Sequence, residues 1–191
     1  MKKKDAGKTI VFMVLVCLVL GGLYFVLNQN EGKDKEKIKG NEVAQSLLRK
    51  DYDRNYPATV REVLIQHMSI SQCLYNEEIS DEEFDALIIM MRKLYDEELL
   101  EKNPESSYKS NLKNEIAAAK AGKYRMSYYE VNKLSGVKYW TAEEDEFASI
   151  LVCITMNNDG QIEKSWEEFL LREDEKERWK IVGWRLAEAV E

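Results

Sequence analysis

At Lys123 the spacing of apolar residues changes from about 3.6 to 2, so the first part of the chain must bury helical stripes and the second part strand faces. Three helices are expected before the change. In "NYPATVREVLIQHMSISQCLYN", Pro57 punctuates, Thr59 caps, and Glu62 three residues later completes a T-x-x-E box. Val60, Val63, Leu64, His67, Met68, Ser71 and Leu74 then keep helical spacing. The device returns at Ser80 and Glu83, followed by one apolar face from Phe84 through Leu94, Tyr95 and Leu99 to a stop at Asn103-Pro104. A third helix, from about Ser107 to Ala121, presents Tyr108, Leu112, Ile116 and Ala119 and ends at Gly122 as its cap. A short amphipathic stretch with Val43, Leu47 and Leu48 precedes all three.

After Lys123 the pattern predicts four strands. "KYRMSYYEVNKL" sets Tyr124, Met126 and Tyr128 against Arg125, Ser127 and Tyr129. "EFASILVCITMN" is apolar on both faces, as in a central strand covered on both sides. Asp159-Gly160 is a two-residue hairpin signal leading into "QIEKSWEEFLLR". The last strand, "RWKIVGWRL", puts Trp179 and Ile181 on one face and Val182, Trp184 and Leu186 across the other, so it too is expected to need cover on both sides. Gly183 within it marks a bulge or a close approach. Helices followed by an antiparallel meander imply an α+β domain, three helices packed on one curved sheet.

Ahead of this domain, Thr9 to Leu27 holds no charge over 19 positions, about 28 Å as a helix and enough to cross a bilayer core. Lys2, Lys3, Lys4 and Lys8 against Asp5 give residues 1–8 a net +3 and, by the positive-inside bias, a cytoplasmic location. No A-x-A-like triplet follows the run, and Cys17 sits after Val14-Leu15-Val16 rather than in a lipoprotein signal. The reading is a retained single-pass anchor at 9–27, a polar linker at 28–42 and an external domain at 43–191. The whole chain is −7, so the part beyond the anchor carries −10, which excludes a general nucleic-acid binder. Cys73 and Cys153 lie in that part, either paired or as buried free thiols.

"NYPATVREV", "LYDEELLEKNP" and the terminal "FLLREDEKERWKIVGWRL" together resemble a domain-of-unknown-function family of Clostridia, particularly Lachnospiraceae. The likeness runs from the Lys-rich start to the last strand, and Val60 stands where that family usually has Pro. It implies no activity and no catalytic residues. More distantly, helices followed by a curved sheet with a closing W-K-I strand are similar to the NTF2-like (cystatin-like) superfamily. That resemblance implies a cone-shaped pocket, as in its isomerases and cyclases, or a membrane-anchored scaffold role, as in secretion and conjugation machines; fold alone does not choose.

Catalytic and metal motifs are sparse. No G-x-S-x-G elbow, glycine-rich phosphate loop or zinc-ligand spacing occurs. "NEEISDEEFD" lacks the alternation and Gly of an EF-hand and suits a helix N-terminus. His67, the only histidine, falls on an apolar helix face and reads first as a packed residue. Of ten aromatics in the sheet half, most are expected in the core. The candidates for a cavity or partner surface are His67, Tyr128, Tyr139, Trp140, Phe147, Trp166 and Trp184, with "VKYWTAEEDE" as a recognition rim. No cofactor is implied. The expected role is a non-enzymatic interaction or scaffold module with a protein partner or a second copy, the alternatives being a small-molecule binder or enzyme working from the cone, or a subunit of an envelope complex.

Overall fold

The computed structural model describes residues 40–188, all within the unit Lys39–Glu191. The expected anchor at 9–27 and the residues before it lie outside the described residues; among those described, no helix is long and apolar enough to cross a membrane. The fold is α+β, with helices α1 (Glu42–Leu48), α2 (Val60–Asn76), α3 (Asp81–Arg92), α4 (Glu97–Lys102) and α5 (Glu105–Ala121). Strands β1 (Tyr124–Val131), β2 (Lys138–Ala142), β3 (Asp145–Asn158), β4 (Gln161–Glu173) and β5 (Trp179–Ala187) form one open antiparallel sheet. Its order is β1-β3-β4-β5, with β2 also paired to β3.

The helix caps follow the sequence closely, with two differences. Ser80 and Glu83 form the full reciprocal box, and the buried Glu83 carboxylate also accepts from Asn41 N (2.9 Å) and Gln45 Nε2 (2.8 Å), which fixes α1 against α3. Thr59 accepts from Glu62 N, but Glu62 reaches back to Ala58 N and not to the cap residue. At the end of α5, Gly122 has φ −79°, and the left-handed residue is Lys123, φ 59°.

The expected second helix is interrupted, and the count before the sheet is five helices among the described residues instead of three. The apolar face through Leu94, Tyr95 and Leu99 is real, yet the chain leaves the helix after Arg92. Asp96 N donates to Ile181 O (2.9 Å) and Ile181 N to Leu94 O (2.8 Å). Two backbone bonds to a sheet edge replace the helical ones. Asp96 then caps α4 through Glu98 N and accepts from Arg172 Nη2 at 2.5 Å. The interruption comes from tertiary pairing, which overrides a locally helical stretch.

Strand phase is the largest correction. Between Met126 and Tyr128 the β1–β3 register slips by one, as it does opposite Leu170/Leu171 in β4, where Leu171 faces Ile181 but Leu170 faces Gly183. Ser127 and Val182 are therefore extra residues, each reversing the alternation that follows. Tyr128 is thrown to the face opposite Met126, and Tyr129 turns inward to bond Ser69 Oγ at 2.9 Å. On β5, Trp184 opposite Phe169 and Leu186 opposite Glu167 join Ile181, opposite Leu171, on the concave face. The terminal strand is covered on one side only; Lys180, Gly183 and Arg185 hold its convex face.

The core fills the concave side, where Ala148, Ile150 and Val152 of β3 and Phe169 and Leu171 of β4 are buried and α2 packs on β1, β3 and β5. Among the described residues β3 has helical cover on that side alone, and its other face carries Ser149, Leu151, Cys153 and Thr155 among the side chains of neighbouring strands. Cys73 and Cys153 are both free and buried. "VKYWTAEEDE" forms a hairpin, β2 to β3, turning on Glu143 and Glu144 with φ 52° and 78°. The expected Asp159-Gly160 turn is present, φ 52° and 96°.

A Cβ at Gly183 would meet nothing within 4 Å, so the glycine marks the bulge without being required by space. Gly183→Ala should change stability by less than about 1 kcal/mol in urea melts. Deleting Val182, the extra residue, should leave Trp184 opposite Phe169 and be tolerated, whereas inserting Ala between Gly183 and Trp184 should turn Trp184 to the convex face and lower the melt further. A deletion more damaging than the insertion would contradict the phase assignment.

Candidate functional site

The seven candidate residues divide between separate surfaces, and the two slips decide the faces of Tyr128 and Trp184. Tyr128, Trp140, Phe147 and Trp166 lie on the convex face of the sheet, where Trp140 stacks on Phe147 (5.8 Å, 13°). Tyr139 lies on the concave face, 5.6 Å from Trp179 two strands beyond its own partner, which measures how sharply the sheet is bent. On the concave side His67 and Trp184 come together, at 5.8 Å, and both also touch Phe169. They line a cavity of about 330 Å³ between α2, α5 and the concave sheet.

Its floor is apolar and buried: Met68 of α2, Met91 of α3, Met126 of β1, Ile154 of β3 and Phe169 of β4. Its polar groups come from residues that the sequence reading passed over. Tyr95 enters from the edge pairing at Ile181, Tyr75 from α2, Tyr108 and Glu115 from α5, and Glu167 from β4. Tyr108, Leu112 and Glu115 recur at helical spacing, and Glu167 shares the alternation of Phe169 and Leu171, so both signals are present in the sequence.

A hydrogen-bond relay lies under the pocket. Tyr108 donates to the Met91 thioether (3.5 Å), which leaves its oxygen to accept from Tyr95 (2.8 Å), and Tyr95 in turn accepts from His67 Nε2 (3.1 Å). This direction assigns the proton of the neutral imidazole to Nε2. Nδ1 is then a buried lone pair without a partner. Burial lowers the His67 pKa to about 4 and holds the Tyr95 and Tyr108 phenols above their usual range. The relay therefore stays uncharged at neutral pH and orients rings rather than moving protons.

The carboxylates differ. Glu115, at the rim, accepts a short hydrogen bond from Tyr75. Glu167 is half-buried, and burial, with the Glu115 charge second, raises its pKa; among the described residues no donor or cation reaches it. No group of three or more His, Cys, Asp or Glu side chains among the described residues is placed to hold a metal.

A second, larger groove of about 700 Å³ runs along the β5 edge. Three of its cations are paired: Arg172 with Asp96, Arg178 with Asp174 (2.8 Å) and Lys93 with Asp53 (2.7 Å). Lys180, whose pKa burial and then Arg178 lower to about 8, lies over the Tyr56 ring (4.3 Å) and donates to Lys93 O. The ion pairs there tie the segment before α2 and the end of α3 to the sheet.

Compared with known families, residues 1–184 match the model of a domain of unknown function, DUF6715. None of the curated proteins matches the chain.

The His67 environment sets a pH dependence. Its folded pKa of about 4 lies below the unfolded value near 6.5, so below about pH 6.5 the unfolded state gains a proton that the folded state refuses. Stability is then lost as pH falls from about 6.5 to about 4, by a total on the order of 3 kcal/mol from this residue. Urea melts of wild type and His67→Leu across that window should show the shallower decline in the variant. Parallel declines would mean that His67 is not held neutral.

Proposed function

We propose that this chain, which belongs to the DUF6715 family, is a single-pass membrane protein whose outward-facing domain binds a small molecule in the concave pocket. The observation that carries the reading is the pocket itself, about 330 Å³, open at a rim of Trp184, Asn111 and Glu115 over a buried apolar floor. Ligand sites combine such an apolar lining with a few convergent polar groups. Helices on the concave side of one bent antiparallel sheet support an NTF2-like domain. Support for the anchor, with the N-terminus cytoplasmic and the domain extracellular, is the uncharged 9–27 run behind four lysines.

A second reading, docking of a protein partner or a second copy, draws on the convex face, where Tyr128 (57 % exposed), Trp140 (41 %) and Ile162 (54 %) stand without helical cover. The two faces can be separated with water-soluble fragments such as 3-phenylpropanol, followed by ligand-observed NMR on the full chain in lipid nanodiscs. Ser71→Phe or Asn111→Phe, each filling the pocket, should abolish fragment binding, whereas Trp166→Ala should leave it unchanged. The opposite pattern would move the function to the convex face.

Orientation has its own test. A cysteine in place of the exposed Glu42 should react with an impermeant maleimide on intact cells, Cys73 and Cys153 being buried. Labelling only after lysis would reverse the topology.

A further inference from the structure

We propose that the concave pocket takes an organic cation, an amine or quaternary ammonium carried on an apolar body; this rests on the small-molecule reading above. The electrostatics of the lining point one way. Among the described residues the charged side chains that line the cavity are Glu115 and Glu167, with neither Lys nor Arg. In the neighbouring groove Arg172, Arg178 and Lys93 are paired with Asp96, Asp174 and Asp53, but Glu167 is half-buried and has no counter-charge among the described residues. A carboxylate withdrawn from water without a partner is destabilising, and a cationic ligand would relieve that cost.

The remaining lining suits a soft cation better than a metal ion. Tyr75, Tyr95, Tyr108 and Trp184 bring four electron-rich rings to one cavity, the type of surface that attracts ammonium groups. His67 cannot complete a metal site with the two carboxylates, since its Nε2 is bonded to Tyr95 and its Nδ1 is sealed from solvent. An anion would meet two carboxylates with no Lys or Arg in the lining to offset them. Beneath the charged rim, Met68, Met91, Met126 and Ile154 offer a flexible apolar bed for the body of the ligand.

Three water-soluble probes of nearly one shape test the charge requirement: 3-phenylpropylamine, 3-phenylpropanol and 3-phenylpropionate. They are titrated calorimetrically into the full chain in nanodiscs, with empty nanodiscs subtracted. The amine should bind at least about tenfold tighter than the alcohol, a difference one partly desolvated charge pair with ring contacts can supply, and the propionate should bind weakest. Glu167→Gln should reduce the amine to the level of the alcohol without changing the alcohol, and Glu115→Gln should weaken the amine less, since Tyr75 already shares its charge. Amine and alcohol binding equally, or an amine advantage that survives both substitutions, would overturn the cation while leaving the pocket in place. Failure of all three probes to bind would remove the pocket reading itself.

Discussion

The domain depends on Ile181 more than on any other residue. Its N–H and C=O are bonded to Leu94 and Asp96 while it lies opposite Leu171 of β4, so one position of β5 joins the helical half of the chain to the sheet. Each consequence is local and mechanical. The α3 helix stops because its continuation is used as sheet edge; Asp96, 6 % exposed, is held by Arg172 and caps α4. Tyr95, carried between those two backbone bonds, is brought within reach of His67 and Tyr108. A buried charge such as Asp96 is tolerable only with a partner in place, and the edge pairing holds that partner in register.

Much of this fold was legible in the sequence, and what was not has identifiable causes. The change of period at Lys123, the Ser80–Glu83 box and the Asp159-Gly160 turn are local signals, and each produced the expected element. The break after Arg92 is invisible locally, because Leu94, Tyr95 and Leu99 keep helical spacing and only a partner some 85 residues away ends the helix. The hairpin at Glu143-Glu144 was missed for the opposite reason: both residues adopt positive φ without the Asn or Gly that usually announces such a turn.

Phase was the harder problem. Alternation assigns faces correctly until an extra residue intervenes, and then every later assignment is reversed. Gly183 hinted at one slip, but Ser127 gave no hint of the other. This is why Tyr128 misses the pocket and Trp184 reaches it. No slip affects Glu167; its face follows from Phe169 and Leu171 two and four positions on, but a search for aromatic candidates passed over a carboxylate.

The two bulges also carry functional weight. Without the Val182 slip, β5 would present Gly183 where Trp184 now closes the rim and Arg185 where Leu186 now lies, placing a guanidinium opposite Glu167. Without the Ser127 slip, Tyr128 would occupy the inward place of Tyr129, against α2. Strand irregularities that re-aim side chains recur beside functional sites. Here the slip in β5 keeps a cation away from a half-buried carboxylate, sets Leu186 opposite it and brings the Trp184 indole to the rim, which is the reverse of what folding stability alone would favour.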